Sequence, residues 1–141
     1  IILETTAICR YLEYIHPSPN LFGEDAMEIA QIEMWYSRVS FELMLPLMHG
    51  FRHTHPHMSE LENQNNEFGL AQREIAVNSL KYYEEVIAEK EFVACDKFSY
   101  ADIQMTVSLQ FLVRLNRIDI NDYANLSKYI GNISARPSFS V

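Results

Sequence analysis

The chain has 141 residues, 48% of them apolar, and a formal net charge of −8. That length holds one domain with a real core and not two complete ones, and the apolar content excludes a disordered chain. The acidic surplus, without any Lys/Arg cluster, argues against nucleic acid and anionic membrane surfaces as partners, and no apolar run reaches the ~18 residues of a membrane helix.

Only 4 Gly and 5 Pro are present. Long helices are therefore expected over a turn-rich sheet, and the fold class read from the pattern is all-α, a bundle of about five helices. Residues 1–3 form a short β-branched apolar run, read as the end of a strand. The chain starts there without Met, so a fragment or processed form is expected. A hydroxyl N-cap at Thr5-Thr6 then opens a helix with Ala7, Ile8, Tyr11, Leu12 and Ile15 at helical spacing. Pro17 and Pro19 stop it, because proline disfavours helical geometry in the residue before it. Leu21-Phe22-Gly23 completes a linker over residues 17–23. Residues 1–16 are read as the tail of another domain, and 24–141 as the helical domain.

Residues 24 to about 49 read as one long helix. Glu24, Asp25 and Glu28 suit the positive end of its dipole, and Ile29, Ile32, Met34, Trp35, Val39, Leu43 and Leu47 cover more than one face. Pro46 is expected to kink it or to end its regular bonding. Residues 50–66 lack helical period and read as an exposed loop. A second long helix is expected over 67–89, with an apolar stripe of Leu70, Ile75, Val77, Leu80, Val86 and Ile87. A connector follows, its Phe92-Val93-Ala94 tucked under the core. The next helix runs from Ser99 to about residue 116, and a shorter one from about 123 to 134, closed by Arg136-Pro137.

The sharpest local signal is Phe98-Ser99-Tyr100-Ala101-Asp102-Ile103. Ser99 can cap the amide of Asp102 while the Asp102 carboxylate reaches back to the amide of Ser99, a capping box with Asp in place of the usual Glu. Phe98 and Ile103 stand at the hydrophobic-staple positions. This is a structural N-cap and not a catalytic pair.

Four histidines, His49, His53, His55 and His57, raise the possibility of zinc. Pro56 interrupts them, and no carboxylate or Cys stands within the segment. A solvated loop that gains charge below pH ~6.5 is the reading, with no metal expected. Glu84-Glu85 reads as a solvated helix face. Cys9 and Cys95 lie far apart, outside any CxxC pair, and the opening residues lack a basic leader. Reduced thiols and a cytoplasmic location are expected. No Gly-x-Ser-x-Gly elbow, Gly-rich phosphate loop or HExxH occurs.

The stretch Glu91-Phe92-Val93-Ala94-Cys95-Asp96-Lys97-Phe98-Ser99-Tyr100-Ala101-Asp102 resembles the glutathione transferase pattern F-L-A-G-D-x-F-S-x-A-D, with Cys95 where that family prefers Gly. Glu4-Thr5-Thr6-Ala7-Ile8, with Tyr11-Leu12, is similar to the family's E-S-x-A-I…Y-L, Thr5 standing for Ser. Pro17 to Gly23 resembles its interdomain linker, and Arg136-Pro137-Ser138 its closing R-P-S. Together these landmarks cover essentially the whole chain.

The resemblance implies the C-terminal helical domain of a glutathione transferase, preceded by the tail of its thioredoxin-like domain. On residue chemistry alone, Glu4 and Thr5 read as a solvated acid and an N-cap. The resemblance makes them the glutathione-binding pair, Glu4 for the ammonium and Thr5 with the helix amides for the carboxylate. Arg38, Phe41, Met44, Leu45 and Met48 read on their own as core or dimer packing; by resemblance they line an apolar-electrophile pocket. The resemblance puts the thiol-activating residue in the missing domain, so no catalytic residue is expected here and the chain alone should be inactive. The implied partners are glutathione as co-substrate, a small apolar electrophile and a second copy in a homodimer. The alternative is a non-catalytic protein-interaction module of the same fold.

Overall fold

A computed structural model describes residues 1–139. Six α-helices follow in order: α1 Thr5–Ile15, α2 Ala26–Val39, α3 Leu45–Thr54, α4 Asn66–Ile87, α5 Tyr100–Arg114 and α6 Ala124–Ser134. A π-helical turn, Ser40–Met44, joins α2 to α3 without a break. The bundle therefore consists of five helical rods, one of them bent. The bend sits where Pro46 requires it. Proline has no amide to donate and crowds the carbonyl four residues back, and the wider turn before it absorbs both defects. Leu45 accordingly donates to the carbonyl of Ser40, five residues back.

The core is one cluster. Val39, Leu43 and Leu47 from the bent rod meet Ala76, Leu80 and Tyr83 of α4, Met105, Leu109 and Leu112 of α5, and Leu126 of α6, all fully buried. Val93 and Ala94 of the connector are buried beneath it, as the sequence predicts. Along α4 the predicted stripe is displaced. Leu70 and Ile75 are about half exposed, and the buried face is Gly69, Ala76, Leu80, Tyr83 and Ile87.

The largest departure lies in residues 50–66. α3 continues through Gly50 to Thr54, then a 3-10 turn, Pro56–Met58, leads round to α4. The two glycines explain it. A Cβ on Gly69 would sit 2.7 Å from Thr54 Cγ2 and 2.9 Å from His53 Cβ; one on Gly50 would collide with Arg73 Cγ. Each glycine lets α3 and α4 approach more closely than any side chain would permit. Gly50, read from sequence as the start of a loop, is a packing position inside a helix. The histidines serve the turn. His53 Nδ1 accepts the amide of Asn65 (3.1 Å) and His55 Nδ1 that of His57 (3.3 Å), while Gln64 donates to the carbonyls of Arg52 and His55.

The predicted reciprocal cap opens α5. Asp102 is fully buried and draws together four donors: the Ser99 amide and hydroxyl (2.8 Å each), the Val93 amide (2.7 Å) and the Tyr129 hydroxyl (2.7 Å). One carboxylate thus fixes the start of α5, the connector and α6. Phe98 and Ile103 are half-buried against the core. The connector turns without left-handed geometry at Cys95, whose Sγ lies 3.5 Å from the Lys97 carbonyl.

Glu84 is not the solvated acid its neighbours imply. Its two carboxylate oxygens accept the amides of Asn125 and Leu126, 2.9 Å each, and so cap α6 from the side of α4. The hydroxyl N-cap expected for α1 does not form either. Glu4 occupies the cap position at φ 72, the cap side chain makes no hydrogen bond to the first turn, and Thr5 is the first helical residue. Residues 1–3 carry no strand assignment and are exposed.

Candidate functional site

The N-terminus of α1 opens onto an apolar groove of about 880 Å³ running between α1, the bent rod and α5. Glu4 and Thr5 stand at one end, Met44 and Met48 along the rod, and Tyr100, Ile103 and Val107 on the α5 wall. These residues are remote in sequence, and contacts among α1, α2, the linker and α5 assemble them. The Thr6 hydroxyl lies 2.6 Å from Tyr36 OH and 3.4 Å from Tyr100 OH, linking α1 to α2 and α5. Phe22 of the linker stacks on Tyr100 at 4.6 Å between ring centroids, and the Tyr100 amide donates to the Leu21 carbonyl. Glu13 accepts the amides of Leu21 and Phe22, which folds the linker back against α1.

Two features make the Glu4 end suited to an anionic or zwitterionic ligand. The first-turn amides of α1 have no side-chain cap, so they face outward with the helix dipole behind them. Glu4 is held at positive φ, a conformation that costs a non-glycine residue on the order of 1–2 kcal/mol and recurs where side chains are aimed at ligands. Inside the groove, burial pushes the Tyr100 hydroxyl above its ordinary pKa, opposed by the hydrogen bond with Thr6. It therefore remains a protonated donor at neutral pH.

The sequence-predicted residues separate into two groups. Glu4, Thr5, Met44 and Met48 all line this one groove. Arg38, Phe41 and Leu45 do not. Arg38 pairs with Glu42, donates to Tyr82 OH and lies 4.5 Å over the Tyr82 ring, toward α4. Phe41 is 69% exposed and Leu45 39%. The π turn interrupts the 3.6-residue spacing between Arg38 and Met44, and Leu45, next to Met44 beyond that turn, falls on another side of the rod. The sequence reading missed Thr6, Tyr36 and Tyr100. Tyr100 stands inside the capping-box motif, and that placement drew attention to backbone geometry instead of its hydroxyl.

No group of three or more His, Cys, Asp or Glu arranged to hold a metal occurs among the described residues. None of the described helices is long and apolar enough to cross a membrane.

The family described as "Glutathione S-transferase, C-terminal domain" matches residues 35–137. Glutathione S-transferase 2 of Saccharomyces cerevisiae is 37% identical over 113 residues, covering 79% of this chain. The chain spans about half the length of that curated relative, 48%. Among solved structures, Gtt2 from S. cerevisiae superposes with a TM-score of 0.89 at 33% identity, over 98% of this chain and 67% of that one. A Gtt2-class glutathione S-transferase of Vibrio parahaemolyticus gives 0.87 at 29% identity, over 99% and 64%. With the all-helical bundle, the capping box and a family match that extends from Trp35 to Pro137, the chain belongs to the glutathione S-transferase family, as its C-terminal helical domain.

Proposed function

We propose that this chain is the helical half of a glutathione-conjugating or glutathione-reducing enzyme and supplies the electrophile side of its active site. The observation that carries the reading is the groove itself: an apolar trough lined by Met44, Met48, Ile103 and Val107 that ends at the uncapped helix N-terminus bearing Glu4 and Thr5. In this reading Glu4 pairs with the ammonium of the γ-glutamyl end of glutathione, and Thr5 with the first-turn amides holds its carboxylate. The adaptable methionines receive a small apolar electrophile.

Residues 1–16 then close a preceding thioredoxin-like domain, 17–23 form the linker, and 24–141 form the helical domain. The exposed apolar side of α1, with Ile8, Tyr11, Leu12 and Ile15, supports such a neighbour. The preceding domain would supply the residue that activates the thiol. Phe41 and Leu45, exposed one turn apart on the bent rod, support a homodimer contact. A cytoplasmic location fits the reduced cysteines.

The test uses the full-length protein. Retention on immobilised glutathione and conjugation of a chloroaromatic substrate are expected, with Glu4→Gln weakening glutathione by about tenfold, the usual loss when one charge-assisted partner is removed. Neither retention nor conjugation would reject the reading in favour of a non-catalytic interaction module.

A further inference from the structure

A second pocket, of about 410 Å³, lies between the end of α3, the middle of α4 and the turn that joins α5 to α6. It shares no lining residue with the groove. Its wall carries two guanidiniums, Arg73 and Arg117, two imidazoles, His55 and His57, and no carboxylate. This is unexpected in a chain with 19 acidic and 11 basic residues. None of the ion pairs among the described residues involves Arg73 or Arg117. Arg73 donates one N–H to the backbone carbonyl of Asn116, which orients the guanidinium without neutralising it and leaves other N–H groups of the fork free. Because His55 Nδ1 accepts the His57 amide, the neutral ring carries its proton on Nε2 and still offers a donor.

We propose that this pocket binds a phosphate group. A phosphate offers acceptor oxygens to both guanidiniums and the imidazoles. The pocket is larger than a phosphate ion, and Phe51 provides an apolar wall, so a small phosphomonoester fits as well as inorganic phosphate.

The experiment is a titration of the 15N-labelled full chain with inorganic phosphate and, separately, phenyl phosphate, chloride holding the ionic strength constant. Saturable shifts are expected at the amides of His57 and Arg117. Arg117→Gln should weaken binding about tenfold or more. Arg117 is exposed and its side chain makes no hydrogen bond among the described residues, so the variant should keep its fold, and an unchanged spectrum elsewhere checks this. Equal affinities assign the site to the free ion; tighter phenyl phosphate assigns it to an ester. Absence of saturation up to about 10 mM, equal binding by Arg117→Gln, or shifts that chloride reproduces would each overturn the assignment.

Discussion

Asp102 joins the start of α5, the connector and α6, and its removal allows a worked expectation. Four donors converge on its carboxylate in a fully buried site: two backbone amides, a serine hydroxyl and the Tyr129 hydroxyl. Burial and the adjacent carboxylate both push Tyr129 above its ordinary pKa, burial the more, so its hydroxyl is a permanent donor at neutral pH. A buried donor left unmade costs ~1–3 kcal/mol, but water entry and hydroxyl rotation relieve part of a cluster, and about 4 kcal/mol is expected for Asp102→Ala. Against a net stability on the order of 5–15 kcal/mol, that is a large fraction. At about 3–4 °C per kcal/mol for this length, Tm should fall by about 12–16 °C. Asp102→Asn keeps one accepting oxygen but turns an N–H toward the Ser99 amide, and about 2 kcal/mol is expected. Ser99→Ala removes only the hydroxyl and leaves both backbone amides bonded, so about 1 kcal/mol should be lost. Urea unfolding followed by far-UV circular dichroism and Trp35 fluorescence gives all three values. If Asp102→Ala costs no more than Ser99→Ala, the carboxylate is not the hub described above and the reasoning fails.

The remaining expectations concern the helix crossing and the buried tyrosines. Gly69→Ala should destabilise by about 1–3 kcal/mol, because its Cβ meets Thr54 and His53 across the α3–α4 contact. Gly131→Ala, with nothing within 4 Å of the added carbon, should stabilise by about 0.5–1 kcal/mol. Equal effects in denaturant unfolding would contradict the close-approach explanation. Tyr83, like Tyr129, is pushed up by burial and then by its carboxylate neighbour, Glu42. The folded state therefore holds these two protons more tightly than the unfolded chain does. The stability this provides is complete below the ordinary tyrosine value of about 10 and is lost as pH rises above it. Absorbance at 295 nm should show Tyr83 and Tyr129 ionising only as the chain unfolds; titration of all 8 tyrosines with the fold intact would refute this.

Local chemistry was legible wherever a signal is complete within a few residues. Ser99 and Asp102 announce a helix start because both halves of a capping box lie three residues apart. The end of α1, the start of α4 and the burial of Val93 follow from proline geometry and apolar spacing in the same way. The groove was half legible: Glu4, Thr5, Met44 and Met48, singled out by resemblance to family segments, line it, while Arg38, Phe41 and Leu45, grouped on the same resemblance, lie outside it. A π turn is invisible to periodicity, which presumes 3.6 residues throughout.

What the amino-acid order determined by itself is the run of helical rods and the Ser99–Asp102 cap that starts α5, since these rest on contacts within a few turns of chain. What only the tertiary structure decided is which faces meet. Gly50 and Gly69 become packing positions only once α3 lies against α4, Glu84 becomes a cap only once α6 arrives 41 residues later, and Thr6, Tyr36 and Tyr100 become neighbours only in the folded bundle. The physical reason is that a glycine, a carboxylate or a hydroxyl has no preferred role of its own. Its partner supplies the role, and chain folding alone brings that partner within reach.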